Sequence, residues 1–483
     1  MLGIAKALFA LDEEARAAGT EDVLDRRFIA AHTHGFEAFE EKVLGTAWDK
    51  IVEASGLERR ALEMVARTYA KARSVIAIYG MGLTQHRLGI DNVQMLINLL
   101  LMRGQIGKPG AGICPVRGHS NVQGQRTVGI AEKTDLVPLD RMAEQFGFDP
   151  PRQDGMNTVE ACEGIIAGRV SAFIGLGGNF VRAVPERELM EEKWRELDLS
   201  VQIATKLNRT HLITARSTYL LPTLVRSEID EQATGPQIVT MEDSTTCIHA
   251  SRGKFIPASK HLLAEPAIVA EIAKAALPAN PKVPWDEWVG DYALVRDAIE
   301  GSFPEDFRDF NKRLDIPGGF PRLIPARDRK WETHTGRANF LLPRGLSASF
   351  DENDDPDVMR LITLRSNDQF NTTVYGYDDR LRGIHDSRMI VLMNGRDRER
   401  FGVRKDGTVR MTTVADDGIK RSMGGFQVID YDLPAGTCAA YYPECNALIP
   451  LWQYAEESKT PAAKSIPVRI EPETKTDDVG GSQ

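Results

Sequence analysis

Between Val75 and Gly129 the chain reads VIAIYGMGLTQHRLGIDNVQMLINLLLMRGQIGKPGAGICPVRGHSNVQGQRTVG. Val75 to Tyr79 predicts a strand, Gly80 to Gly82 a turn, and Asp91 to Arg103 a long apolar helix. A strand that enters a glycine turn ahead of a helix brings backbone N–H groups to a ligand, so an anionic or strongly polar group is expected there. The stretch from Cys114 to Gly124 is unusual for a plain connector. It sets Arg117, His119, Asn121 and Gln123 among glycines, with only Val116 and Val122 as apolar anchors. Holding so many planar donors and acceptors in place costs desolvation unless each finds a partner, so this stretch is expected to bind a ligand.

The pair Gly80-Met81-Gly82-Leu83-Thr84-Gln85 and Pro115-Val116-Arg117-Gly118-His119-Ser120-Asn121-Val122-Gln123-Gly124 resembles the catalytic subunit of molybdopterin-guanine-dinucleotide oxidoreductases of the dimethyl sulfoxide reductase family. The formate-dehydrogenase-alpha-like branch is the nearest match. The resemblance implies a Rossmann-like α/β fold with parallel-sheet domains, followed by a C-terminal double-psi β-barrel domain. It also implies a bis-molybdopterin guanine dinucleotide cofactor carrying molybdenum or tungsten.

Length and composition are compatible with this reading. The chain has 483 residues, enough for several domains, and its 42% hydrophobic and 27% charged residues suit a globular enzyme. The net charge of −9 argues against nucleic acid as the main partner. Cys114, Cys162, Cys247, Cys438 and Cys445 are scattered without a CxxC, so no self-contained cysteine-ligated iron–sulfur or zinc site is expected. A reducing cytoplasm suits that usage. The first residues lack the basic start and cleavage site of a signal peptide, and the apolar run Met95 to Met102 is too short to span a bilayer.

Four segments are expected: 1–125, a partial α/β molybdopterin oxidoreductase domain; 126–330, a second α/β cofactor-binding domain with connectors; 331–475, a dinucleotide-binding β-barrel; and 476–483, a polar tail. In the first, helices are predicted over Met1 to Gly19, Gly35 to Gly45, Ala47 to Ser55 and Glu58 to Ala72. In the second, strands are expected at Ala172 to Leu176, Leu199 to Ala204 and Ala215 to Leu221, with one helix over Trp285 to Gly301. Short β-branched runs at Leu361 to Leu364, Met389 to Met393, Thr408 to Val414, Gly425 to Tyr431 and Ile466 to Ile470 point to a barrel. The acidic stretch Asp351 to Asp357 is expected to be a solvated loop, and the polar tail from Glu471 to Gln483 to be disordered. In the resembled family further βα units and a 4Fe–4S-binding region precede the segment matched here. The chain is therefore expected to be the C-terminal portion of a longer subunit.

Site residues are assigned through the resemblance. Met81, Gln85, Asn121 and Gln123 are implied in cofactor binding. The loop Gly177, Gly178, Asn179 and the loop carrying Thr205, Lys206, Asn208 and Arg209 are implied at a guanine end, both lying where an open parallel sheet binds ligands. A bare Gly177-Gly178 pair is equally a plain tight turn. Arg365, Gln369, Asn371 and Thr372 are implied around pterin and phosphate groups, with Asn446 and Lys464 later in the chain. Arg117 is the catalytic candidate, matching an arginine that orients a substrate carboxylate in formate dehydrogenases, although an arginine here can also serve as a structural ion-pair partner. His119 stands where those enzymes carry Gln, which leaves the substrate open. No residue is assigned as metal ligand, and a Cys247/His249 pair is too few for a site. The partners expected are a small-molecule substrate and an electron-transfer protein, with neither nucleic acid nor a membrane. Two alternatives are an inactive cofactor-binding fragment that needs a separate N-terminal part, and a plain NAD(P)-binding enzyme; Gly80-Met81-Gly82 lacks the third glycine that the latter requires.

Overall fold

The amphipathic start of the chain sets the first core. Leu2, Ala5, Leu8 and Phe9 share one face of the helix Leu2–Ala17, and all are buried. A computed structural model describes residues 1–119, 121–346 and 355–473. Ser120, the acidic residues Asp351 to Asp354 and the tail from residue 474 lie outside the described residues. The chain folds as two units. One comprises residues 1–116, 324–367 and 377–483; the other comprises 117–323 and 368–376.

In the first unit the helices Leu2–Ala17, Phe36–Gly45, Trp48–Ser55 and Arg59–Lys71 occupy the predicted positions, and the helix Arg26–His32, which the sequence did not suggest, joins them. Phe39 is fully buried and stacks on Phe340, with ring centroids 5.1 Å apart, while Phe9 and Phe36 sit 5.8 Å apart. Thr33–His34 pairs in parallel with Ala338–Asn339, so a late segment completes this early core. Asn98, which interrupts the apolar run of the helix Gly89–Met102, has a defined purpose. It is 1% exposed, and its amide grips the backbone of Leu341, donating to the carbonyl at 2.7 Å and accepting from the N–H at 3.2 Å.

Ile76–Tyr79 forms the predicted strand and pairs in parallel with Gly112–Pro115, a strand the glycines had hidden. Six later strands close into a barrel in the spatial order Val358–Leu364, Thr437–Tyr441, Ile390–Met393, Ser422–Asp430, Thr408–Thr413, Ile466–Glu473. The first two pairs around the ring alternate in sense: Val358–Leu364 runs parallel to Thr437–Tyr441, which runs antiparallel to Ile390–Met393. Closure leaves no free edge, and Leu361, Val391, Val409, Phe426, Ile466 and Val468 fill the interior with no exposed surface.

The second unit contains a three-stranded parallel sheet, Ala172–Leu176, Leu199–Ala204 and Ser217–Pro222, with the second strand central. Trp194 is fully buried under it, 4.8 Å from the Phe173 ring. A separate antiparallel sheet joins Val239–Glu242, Cys247–Ser251 and Phe320–Pro321 over Ile248, Phe307 and Phe310. The helix expected over Trp285 to Gly301 is two helices. The chain breaks at Asp291, whose carboxylate caps Tyr292–Ser302 by accepting from the Ala293 N–H at 2.9 Å. Among the described residues no helix is long and apolar enough to cross a membrane.

Removing the Phe39 ring should leave a cavity between Phe9 and Phe340. Phe39→Ala is expected to lower stability by about 3 to 5 kcal/mol in urea unfolding, and a loss below about 1 kcal/mol would mean that the aromatic cluster does not carry this core.

Candidate functional site

In the first unit the strand Ile76–Tyr79 delivers Gly80 into a single helical turn, Met81–Thr84, rather than an open glycine turn. Met81 is exposed, and Gln85 and His86 follow it inward. His86 Nε2 lies 2.9 Å from the Gly82 carbonyl, which can only accept, so the ring proton is on Nε2 and Nδ1 is a bare acceptor. That Nδ1 is buried without a hydrogen-bond partner, as is Gln85 Oε1.

Three barrel strands deliver the rest. Arg365 and Asn367 follow Val358–Leu364, Tyr442 follows Thr437–Tyr441, and Lys464 precedes Ile466–Glu473. Lys464 donates its backbone N–H to the Gln85 carbonyl at 3.2 Å and its ammonium to Thr363, through the carbonyl and through Oγ1 at 3.2 Å. The Arg365 guanidinium lies 3.9 Å from the centre of the Tyr442 ring. Its Nε and Nη1, and Asn367 Nδ2, are buried without hydrogen-bond partners. Burial lowers the pKa of Arg365. Burial, reinforced by the Arg365 charge, pushes Lys464 down to about 8. Burial, assisted by the Lys464 charge, lowers His86 against the opposing effect of its Gly82 bond. Cations gathered under cover with open donor positions create a field that favours an anion.

Asn446 is 2% exposed and lies in the turn that starts at Pro443, next to Cys445, which interacts electrostatically with Arg365 and Lys464. Sequence reasoning missed Arg388, which is 3% exposed and braces this turn. It forms a two-pronged ion pair with Glu444 at 2.7 and 3.0 Å, and donates to Ser366 Oγ at 2.5 Å and to the Tyr442 carbonyl at 2.9 Å. His86 and Asn367 were missed as well, although both lie inside or beside the motifs that were read.

In the second unit the loops after the first two parallel strands converge on a cavity of about 360 Å³. Gly177, Gly178 and Asn179 line one side of it, and Thr205, Lys206, Asn208 and Arg209 another. Asn371 and Thr372 close it together with His119. Gly177 and Gly178 have φ of 70° and 83°, the left-handed region that favours glycine, so the pair is a requirement of this loop. Asn179 ties the walls together. Its Oδ1 accepts from Thr210 Oγ1 at 2.7 Å and from the Thr210 N–H at 3.1 Å, and its Nδ2 donates to Thr372 Oγ1 at 3.2 Å. Asn208 Nδ2 donates to the Gly178 carbonyl at 2.7 Å. Gln369 Nε2 donates to the Asn371 carbonyl at 2.7 Å, a contact inside the turn that follows Asp368. The Lys206 ammonium sits 5.6 Å from the centre of the Tyr375 ring. His211 Nδ1 accepts from the Asn208 N–H at 3.1 Å, its Nε2 is buried without a partner, and burial lowers its pKa.

Arg117 and Gln123 also lie in this unit. The exposed Arg117 donates from Nη2 to Gln123 Oε1 at 3.1 Å, and Asn121 anchors the start of the helix Val122–Thr127 against Glu242. His249 Nε2 is engaged by Asp243 Oδ2 at 2.7 Å. The residues assigned from sequence thus fall into two sets. Met81, Gln85, Arg365, Asn446 and Lys464 belong to one unit and the remainder to the other.

No family model matches the chain. Protein YdeP of Escherichia coli is 44% identical over 476 residues, 97% of this chain and 62% of that protein. An uncharacterised oxidoreductase of Mycobacterium tuberculosis is 40% identical over 482 residues, 98% of this chain and 61% of that protein. Formate dehydrogenase H of Escherichia coli is 29% identical over 190 residues, 38% of this chain and 27% of that enzyme. These matches place the chain alongside proteins named oxidoreductase and formate dehydrogenase. The chain spans about three fifths of the length of the first two relatives. Among solved structures, acetylene hydratase from Pelobacter acetylenicus shares the fold with a TM-score of 0.62, at 13% identity, over 97% of this chain and 70% of that one.

The Lys464 charge is a cost to the folded chain. Its folded pKa of about 8 lies below the ordinary 10.5, so the unfolded chain holds more protons between those values and stability rises as pH climbs through that window. Lys464→Met should stabilise the ligand-free chain at neutral pH by roughly 1 to 3 kcal/mol and flatten the rise above pH 8, read from urea midpoints across that range. An unchanged slope would place the lysine in water.

Proposed function

We propose that the chain is the cofactor-binding part of a molybdopterin-guanine-dinucleotide oxidoreductase of the dimethyl sulfoxide reductase family, moving two electrons to or from a small substrate. The observation that carries this reading is the covered group of Arg365, Gln85, His86 and Asn367, whose buried donors and acceptors have no hydrogen-bond partners of their own, gathered around the covered ammonium of Lys464. Such groups are stable under cover only when a polar ligand satisfies them. The relatives named oxidoreductase and formate dehydrogenase H support the same class.

The donor set fits a pterin dinucleotide. Arg365 and Lys464 would hold phosphate or pterin oxygens, Gln85, His86 and Asn367 would meet polar ring edges, and Asn446 would complete the wall. The cavity lined by Gly177 to Asn179 and Thr205 to Arg209 would take a nucleotide end, its neutral amides and hydroxyls suited to a base and its Lys206 and Arg209 to phosphate. When bound, the cofactor supplies the two-electron chemistry, and the protein supplies placement and charge. Arg117 would orient a small anionic substrate through its planar fork, with His119 beside it altering which substrate is accepted. We further read the six-stranded barrel as the double-psi type, a reading supported by its two parallel pairs, Val358–Leu364 with Thr437–Tyr441 and Ile390–Met393 with Ser422–Asp430.

Chain purified from a host that makes the cofactor should carry molybdenum or tungsten by mass spectrometry, together with stoichiometric GMP after acid release. Neither metal nor GMP would overturn the reading for this chain. In protein that carries both, Arg117→Lys should raise KM for a carboxylate substrate by about 10- to 100-fold with a smaller change in kcat, since one prong of a charge-assisted pair is lost.

A further inference from the structure

We propose that Glu242 is a positioning residue that presents Arg117 through the side chain of Gln123. Glu242 ends the strand Val239–Glu242 and is 3% exposed. From there it holds three residues of the Asn121 to Thr127 segment. Its backbone N–H donates to Asn121 Oδ1 at 2.9 Å, its Oε1 accepts from Gln123 Nε2 at 2.8 Å, and its Oε2 accepts from Thr127 Oγ1 at 2.5 Å. Arg322 stands 3.9 Å off and is itself engaged with Asp306, so the carboxylate serves mainly this loop. The approach is close: a Cβ on Gly124 would meet Glu242 Cβ at 3.3 Å and collide with Asn121 Oδ1.

The chemistry of the carboxylate decides the orientation of the amide. An ionised carboxylate only accepts, so Gln123 must turn its NH₂ toward Glu242 and its oxygen away from it. That oxygen accepts from Arg117 Nη2 at 3.1 Å. Without the carboxylate the amide is free to rotate, and its oxygen is no longer held toward the guanidinium. Glu242 therefore fixes the direction in which Arg117 points, at one remove. The link to substrate rests on the reading of Arg117 given above; the relay itself does not.

The test uses the full chain, with phenylglyoxal as an arginine reagent and peptide mass spectrometry as the readout. Arg126 is the internal reference: it lies on the same short helix and pairs with Glu132 at 2.7 and 2.9 Å. Arg117 should react about three- to tenfold faster in Glu242→Ala and in Gln123→Ala, as expected for loss of one hydrogen bond. The double variant should react no faster than Gln123→Ala, and Arg126 should be unaffected throughout. Glu242→Gln retains one acceptor oxygen for Gln123 and should react at nearly the parent rate. An unchanged Arg117 rate in Glu242→Ala, additive effects in the double variant, or an equal rise at Arg126 would each overturn the relay. If Glu242→Ala does not fold, Gln123→Ala and Glu242→Gln decide it: a Gln123→Ala rate equal to the parent, or a Glu242→Gln rate as fast as Gln123→Ala, would overturn it. With cofactor-loaded enzyme and formate as probe, Glu242→Ala should raise KM in the parent and have no added effect in an Arg117→Ala background. A relay confirmed by phenylglyoxal but without effect on formate kinetics leaves Glu242 in its role and removes Arg117 from the substrate.

Discussion

A guanidinium and an ammonium held under cover near each other, with no carboxylate paired to either among the described residues, form a costly arrangement. The charges repel, and the desolvation of each is repaid by hydrogen bonds to Thr363 and by the face of the Tyr442 ring rather than by an opposite charge. Such an arrangement survives only on a frame that cannot relax, and the closed barrel is that frame. Arg365, Tyr442 and Lys464 all stand at ends of its strands, within a few residues of fully buried Leu361, Tyr441 and Ile466. Arg388 ties two of those ends together, donating to Ser366 Oγ and to the Tyr442 carbonyl. The strain is stored next to the place where a negatively charged, hydrogen-bonding ligand would relieve it.

The second unit solves a different problem. Its cavity is bordered by neutral groups that satisfy one another, Asn179 with Thr210 and Thr372, Asn208 with Gly178, so its shape is set before any ligand arrives. Lys206 and Arg209 are exposed at its rim, where their charge costs little and screens readily. The cavity of this unit is thus preformed and neutral, whereas the first unit gathers covered positive charge.

Strands with strong β-branched or apolar runs were legible in the sequence: Ile390–Met393 is wholly buried, and Ala172–Leu176 and Leu199–Ala204 fall where the pattern put them. Thr437–Tyr441 was not legible, because its Cys-Ala-Ala centre has weak strand preference and owes its conformation to neighbours on both sides in the barrel. Gly112–Pro115 was hidden for a similar reason, its pairing with Ile76–Tyr79 overriding a glycine and a proline. For the site, the motif residues drew the reading to the loops that line the cavity and to the covered cations, since Asn, Gln and Arg among glycines stand out in any reading. Glu242 and Arg388 carry no local mark at all. Each is one charged residue in an ordinary stretch, and only the fold reveals that Glu242 meets Gln123 from 119 positions away.

The first unit is not contiguous along the chain. Phe39 waits for Phe340, and Asn98 for the backbone of Leu341, with the whole second unit save a short hairpin encoded in between. At ribosomal speeds of roughly 5 to 20 residues per second, about 12 to 60 seconds separate the emergence of these partners. During that interval the helical face bearing Leu8, Phe9 and Phe39 has no lid of its own, so the nascent chain carries an uncovered aromatic surface that invites chaperones for longer than its length alone would suggest.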